Sequence, residues 1–355
     1  MAVVAAPRVR RRAHARPRPA LHRRRAVTAA KFTVSAGVVA FLLAKGGVRD
    51  VTRTLQHTSI PWLALGFAFG VAGALVTITQ WHRLLRASGV TRSWWRCFRI
   101  EWACDAFDAA LPSSIGGDVV RAVLVSESPE ERARAASSVV LRRLMNLPGM
   151  VVLMTVGLAA SWSGPGAGRI RPYVGAAVVV ALVGAALVAS PLAGRLAALP
   201  VAQRWWGGRA LAKVLVELDA VRGRPGVLAA ASARGVVFWT AVVLSQWSYM
   251  HAVGVHVPLA YAAVVVTVVN AVTMLPISLG GYGVREGSFS AFLAVGGLAS
   301  IAQGIGVGLC VTAQTLVFGL LGLPAYLTLG RRRAPSPPPG QLPARTPAEV
   351  VPCAS

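Results

Sequence analysis

The sequence predicts an all-α integral membrane protein. It reads as a polytopic helical bundle of about eight crossings, with two motif-bearing broken or re-entrant segments forming an internal repeat. Three observations carry this reading. First, 55% of the 355 residues are hydrophobic and 14% are charged, against roughly 25% charged in soluble domains; the mean hydropathy of +0.59 agrees. Second, 34 arginines and three lysines face twelve acids, a net charge of +25, and the basic residues gather in the tails and between apolar runs. Third, Leu111-Pro-Ser-Ser-Ile-Gly-Gly-Asp-Val-Val-Arg121 returns 164 residues later as Leu275-Pro-Ile-Ser-Leu-Gly-Gly-Tyr-Gly-Val-Arg285, with seven of eleven positions identical.

Residues 1–26 hold nine arginines among prolines and alanines, a composition that predicts a disordered basic tail. They resemble a signal n-region or transit peptide, but no clear small-residue cleavage site precedes the next span, so a retained cytoplasmic tail is expected. Residues 27–46 form the first span, with Lys31 near its start free to snorkel. A short polar loop and a second span over 60–80 follow. Trp62 and Trp81 bracket that span nineteen residues apart, close to the thickness of a bilayer core, and read as interfacial anchors. Residues 82–99 carry five arginines and the Trp94-Trp95 pair, and read as a cytoplasmic loop or interfacial helix. The segment 98–125 reads as a re-entrant hairpin holding the first motif, and 126–135 as a polar cytoplasmic loop.

A third span is expected over 136–162, with Arg142 and Arg143 in its first turns, and a fourth over 172–192. Residues 193–225, with six basic residues and Trp205-Trp206, form a second candidate surface helix. The fifth and sixth spans cover 233–253 and 258–275. The second motif, a short helix near 287–297 and a long apolar run over 299–329 complete the domain of residues 27–330. Residues 331–355 form a Pro/Arg-rich tail. The N-terminal tail, loops 82–99 and 193–225 and the C-terminal tail hold 24 basic residues, whereas 47–59 and 163–171 hold two each. That bias puts both termini in the cytoplasm and the chain in the cytoplasmic (inner) membrane, with an even number of crossings.

The repeated motif is the centre of the functional reading. Pro112 and Pro276 remove backbone donors, and Gly116-Gly117 and Gly280-Gly281 lose much entropy on ordering. Such backbone survives at membrane depth only where protein buries it or a cavity lies beside it. Interrupted segments at corresponding places in two halves point to a transporter's substrate site. Arg121 and Arg285 hold equivalent positions. A guanidinium keeps its charge when desolvated and suits a phosphate, so both are candidate headgroup ligands; alternatively, each pairs with an acid to hold the broken helix. Asp118 and Glu286 are the acidic partners. Asp118 lies three residues before Arg121 and can meet it on a helix; cross-repeat pairs, Asp118 with Arg285 or Glu286 with Arg121, stay open. Ser114 and Ser278 are placed to bond backbone freed at each break.

Glu101, Asp105 and Asp108 recur at i, i+4 and i+7 and share one helix face, either a polar vestibule or a face neutralised by neighbouring arginines. Arg142 and Arg143 contact headgroups or mark a helix end. The four cysteines and six histidines show no metal or disulfide spacing, so no metal or other cofactor is expected. No Walker loop, H-E-x-x-H or G-x-S-x-G is present. The pI of 11.7 suits nucleic acid, but basic residues confined to tails and loops are explained by membrane orientation, and no nucleic-acid partner is expected.

The pair LPSSIGGDVVRA and LPISLGGYGVREGSF resembles the lysylphosphatidylglycerol synthase transmembrane family, also called the flippase-like domain family. By this resemblance, Pro112, Gly116, Gly117, Asp118 and Arg121 match its first motif. Pro276, Gly280, Gly281, Gly283, Arg285 and Glu286 match its second. Founding members join a membrane domain that flips an aminoacylated phospholipid to a soluble domain that makes it. The short tail here leaves no space for that soluble domain, so no lysyl transfer is expected. The resemblance implies a lipid translocase moving a phospholipid or lipid-linked headgroup between the two motifs, with membrane lipids as partners. Two alternatives stand beside it: an integral-membrane glycosyl- or lipid transferase acting on polyprenyl phosphate, and a non-catalytic membrane partner of a separate synthase or glycosyltransferase.

Overall fold

The structure is a computed structural model that describes residues 47–110, 114–161, 225–274 and 281–331, with isolated positions around 33–45 and 175–179; residues 107–110, 114–116, 225 and 329–331 are described by backbone alone. Every regular element among the described residues is a helix. In chain order they are α1 (Val48–Gln56), α2 (Ile60–Ala87), α3 (Trp94–Ala110), α4 (Ser114–Val125), α5 (Pro129–Ala160), α6 (Pro225–Ala252), α7 (Leu259–Thr273), α8 (Val284–Val295) and α9 (Ile301–Arg331). α2, α5, α6 and α9 are long and apolar enough to cross a membrane, and α7 is a shorter apolar helix. The expected spans at 27–46 (isolated positions apart) and 172–192, the surface helix at 193–225 and both tails lie outside the described residues.

The two motif helices are short. α4 and α8 each have 12 residues, about 18 Å at 1.5 Å per residue, too short for a hydrocarbon core of about 30 Å. Each is bedded in its own apolar cluster. Ile78, Trp81 and Leu85 of α2 meet Cys97, Ile100 and Cys104 of α3 around Ala122 and Val125 of α4. Met250 of α6, Val264 and Val265 of α7 and Val307 of α9 surround Phe289 and Leu293 of α8. α2 runs along α6, α6 along α5, and α3 along α9.

Small residues set how closely these helices cross, as expected where apolar lipid supplies no drive for burial. A Cβ on Gly149 of α5 would lie 2.5 Å from the Gly235 carbonyl of α6, so backbone meets backbone there. On α9, a Cβ at Gly308 would lie 2.7 Å from the Glu286 Cα of α8. The second motif is thereby pressed against the last helix.

Four expectations about local structure are corrected. The polar loop expected over 47–59 contains α1, because Val51 turns inward onto Ala302 and Ile305 of α9 while the polar side chains face outward. The loop expected from residue 82 begins later. α2 continues through Ala87, since nothing breaks it before Gly89, whose φ of 79° suits a glycine. Trp81 is no interfacial anchor: it is fully buried, donating from Nε1 to Ser138 Oγ at 3.2 Å. Finally, α5 starts at Pro129, not 136. Ser128 caps it by accepting from the Glu131 amide at 3.2 Å, and proline at the first helical position needs no donor. Arg142 and Arg143 therefore sit in about the fourth turn of α5.

Candidate functional site

The first motif builds a buried ion-pair network. Arg121 is 4% exposed. Its Nε donates to Glu101 Oε2 at 3.0 Å, Nη1 to Asp118 Oδ1 at 3.1 Å and Nη2 to Asp105 Oδ1 at 3.3 Å. Glu101 takes a second arginine on its other oxygen, from Arg142 Nη1 at 2.8 Å. Asp118 likewise accepts from Arg143 Nε at 2.6 Å. Three carboxylates thus meet three guanidiniums, and the cluster ties α3, α4 and α5 together. The Arg142 guanidinium also lies 5.9 Å from the centre of the Trp81 ring, within cation–π range.

The second motif is built differently. Gly281 and Gly283 have φ of 83° and 81°, the left-handed region that glycine enters without strain. These two turns let α8 start abruptly. Glu286 folds back to accept the Gly283 amide at 2.7 Å, satisfying a donor that the helix itself leaves open. Thr312 of α9 donates to Glu286 Oε1 at 2.6 Å and accepts from Arg285 Nη1 at 3.3 Å. One hydroxyl therefore links the two charged side chains. Arg285 makes no ion pair among the described residues, in contrast to Arg121 at the equivalent repeat position.

A polar cavity of about 270 Å³ lies beside Arg285 of the second motif and beside two of the acids that hold Arg121. Arg285 lines it from α8, and Glu101 and Asp105 line it from α3; Gln246, Asn270 and Gln314 supply amides from α6, α7 and α9. Asn270 Nδ2 donates to Gln246 Oε1 at 3.1 Å and to the Val266 carbonyl at 2.8 Å. Charges of both signs and neutral amides thus converge between helices that are otherwise apolar.

Of the residues singled out from sequence, Glu101, Asp105, Asp118, Arg121, Arg142 and Arg143 fall in one network, and Arg285 with Glu286 in a second one bordering the same cavity. Neither cross-repeat pairing forms: Asp118 meets Arg121 and Arg143, and Glu286 meets Thr312. Gly117 is buried at the start of α4. Ser114, Gly116 and Asp108 are described by backbone alone, and Pro112, Pro276, Ser278 and Gly280 lie outside the described residues. Sequence reasoning missed Thr312, Gln314, Asn270 and Gln246. A polar residue at membrane depth is the available signal, and each is a neutral side chain in a long apolar run. Among the described residues no group of three or more His, Cys, Asp or Glu converges to hold a metal ion.

A family model described as "Lysylphosphatidylglycerol synthase TM region" matches residues 28–322, most of the chain. No curated protein matches it.

Proposed function

The chain belongs to the lysylphosphatidylglycerol synthase transmembrane family, and on that premise we propose that it is a lipid translocase of the cytoplasmic membrane. Its passenger is the headgroup of an anionic phospholipid or lipid-linked molecule, carried through the polar cavity while the hydrocarbon stays in the bilayer. The observation that carries this reading is Arg285: a cation with no ion pair among the described residues, its neighbour Glu286 already bonded by Gly283 and Thr312, lining a polar cavity between apolar helices. Ionisable groups in such surroundings are costly, and those that persist serve a pathway or a partner. In this reading Arg285 receives the phosphate, and Glu286 holds the guanidinium in place through Thr312. Arg121, committed to three carboxylates, fixes the opposite wall. Ser114 and Ser278 steady the two helix breaks, and both termini face the cytoplasm.

The test is translocation of headgroup-labelled phosphatidylglycerol in proteoliposomes of purified protein. Wild type exchanges label between leaflets faster than protein-free vesicles. Arg285→Ala, folded and inserted to the same level, is slower by at least about tenfold, the weight of a charge-assisted contact of about 1.5–3 kcal/mol. Equal rates for Arg285→Ala and wild type would remove Arg285 from the site. Folded wild type no faster than empty vesicles would end the translocase reading.

A further inference from the structure

The polar cavity has a weak wall. α2 packs broadly on α6, and α9 on α3, but α2 and α9 meet each other at few points. Phe67 and Phe318 touch there with ring centres 5.4 Å apart. Beside them, the Gln314 amide nitrogen occupies the space that a Cβ on Gly70 would need, so this side chain lies across the seam. Its Oε1 accepts from the Tyr249 hydroxyl at 3.0 Å and sits 3.3 Å from Ser245 Oγ. On the far side of Gln314 a second concavity, of about 680 Å³, opens toward the lipid and is lined by Leu63, Phe67, Leu309, Ala313 and Val317. Gln314 borders both spaces.

We propose that this apolar groove seats a hydrocarbon chain of the same lipid whose headgroup enters the polar cavity, with Gln314 as the partition between them. The proposal rests on the translocase reading and names its substrate as an amphiphile held at two joined subsites. Any lipid can cover an apolar membrane face; continuity with the polar cavity is what singles out this groove. A cavity of about 270 Å³ lies at the small end of ligand sites and suits a headgroup, so the rest of the molecule must leave it. Gln314 is suited to the crossing point: it is neutral, its amide both donates and accepts, and only the bare backbone of Gly70 admits it there. The groove also sets a direction. It runs from the cavity toward the N-terminal end of α2, where Leu55 and Ile60 line it. A lipid in the leaflet at the C-terminal end of α2 points its chains that way, so the seated lipid is one loaded from that leaflet and not yet inverted.

The experiment uses two photoreactive phosphatidylglycerols in vesicles of phosphatidylcholine, one with the reactive group at a chain end and one with it on the headgroup. Labelled residues are read by mass spectrometry in wild type, in Ala313→Trp, which fills the groove, and in Leu320→Trp, which adds bulk to an exposed site on the same helix. The chain-end probe should label Leu63, Phe67 and Ala313 at least about fivefold above exposed Val152 of α5, a preference of about 1 kcal/mol. Ala313→Trp should cut labelling at Leu63 and Phe67 by a similar factor and reduce headgroup labelling around Arg285. Leu320→Trp should change neither. Even labelling of all lipid-facing helices, or a pattern untouched by Ala313→Trp, means a lipid annulus only and overturns the proposal. Labelling needs no transport, so failure of the groove and failure of the translocase reading give different results: wild-type translocation with even labelling removes the groove alone, and selective labelling without translocation removes the translocase reading alone.

Discussion

Arg121 and Arg285 hold the same place in a repeated motif and keep different company. Arg121 is enclosed by Glu101, Asp105 and Asp118, with Arg142 and Arg143 bonding two of these acids from behind. Removing one member of such a buried cluster leaves an uncompensated charge and costs about 3–5 kcal/mol. Arg121→Ala and Glu101→Ala should therefore lower the thermal stability of the detergent-solubilised protein sharply, read as loss of the monodisperse peak on heating. Arg285→Ala loses the Thr312 contact and the attraction of Glu286, but Glu286 keeps its bonds from the Gly283 amide and Thr312, so it should cost less stability than Arg121→Ala while slowing transport. A comparable stability loss in both arginine variants would show that the difference in company has no energetic meaning. Part of this was legible beforehand. Spacing placed Asp118 against Arg121, and put Glu101 and Asp105 on one face. That Arg142 lies behind Glu101 depends on how α4 packs between α3 and α5, and no local pattern carries that. Thr312 was illegible for a plainer reason: one threonine in an apolar helix looks like any other until Glu286 is seen facing it.

At the scale of elements, helix existence was easier to read than helix ends. The long apolar runs of α2, α5, α6 and α9 stand out by hydropathy alone. α1 was hidden because its polarity suggested a loop, whereas its single inward residue, Val51, is enough to dock nine residues on α9. The start of α5 was written in Ser128-Pro-Glu-Glu131, a capping pattern, but hydropathy pulled the reading seven residues onward. Close helix crossings give a prediction of their own. Gly308→Ala would set a methyl group 2.7 Å from the Glu286 Cα and 2.9 Å from its Cγ, forcing α9 away from α8. It should cost about 1–3 kcal/mol, as overpacking usually does, and it should also slow transport by disturbing the Thr312–Glu286 contact. Gly226→Ala, near the start of α6, meets nothing within 4 Å. Restricting the unfolded chain there should stabilise by about 0.4–1 kcal/mol. Thermal melts of the two variants side by side check both signs, and a neutral Gly308→Ala would mean that the α8–α9 crossing has slack.

Across the whole molecule, the charge bias orients both the transport reading and the seated lipid. α2 is the suitable ruler. Its 28 residues measure about 42 Å, enough to separate its two ends by a full bilayer. Gln56 and Thr91 lie just beyond those ends and are both exposed. In the proposed orientation Gln56 faces outward and Thr91 the cytoplasm, where the arginines of residues 82–99 lie. Cys97, Cys104 and Cys310 are buried, so a Cys353→Ser background leaves an introduced thiol as the accessible reporter. Gln56→Cys should then react with a membrane-impermeant maleimide in intact spheroplasts, and Thr91→Cys only in inside-out vesicles. The reverse pattern would invert the molecule, and with it the leaflet from which the groove loads, because groove, cavity and ruler are built on the same helix. Labelling of both thiols from one side would mean that α2 does not cross at all. The polar cavity would then have no bilayer to bridge, and the translocase reading would lose its geometric basis.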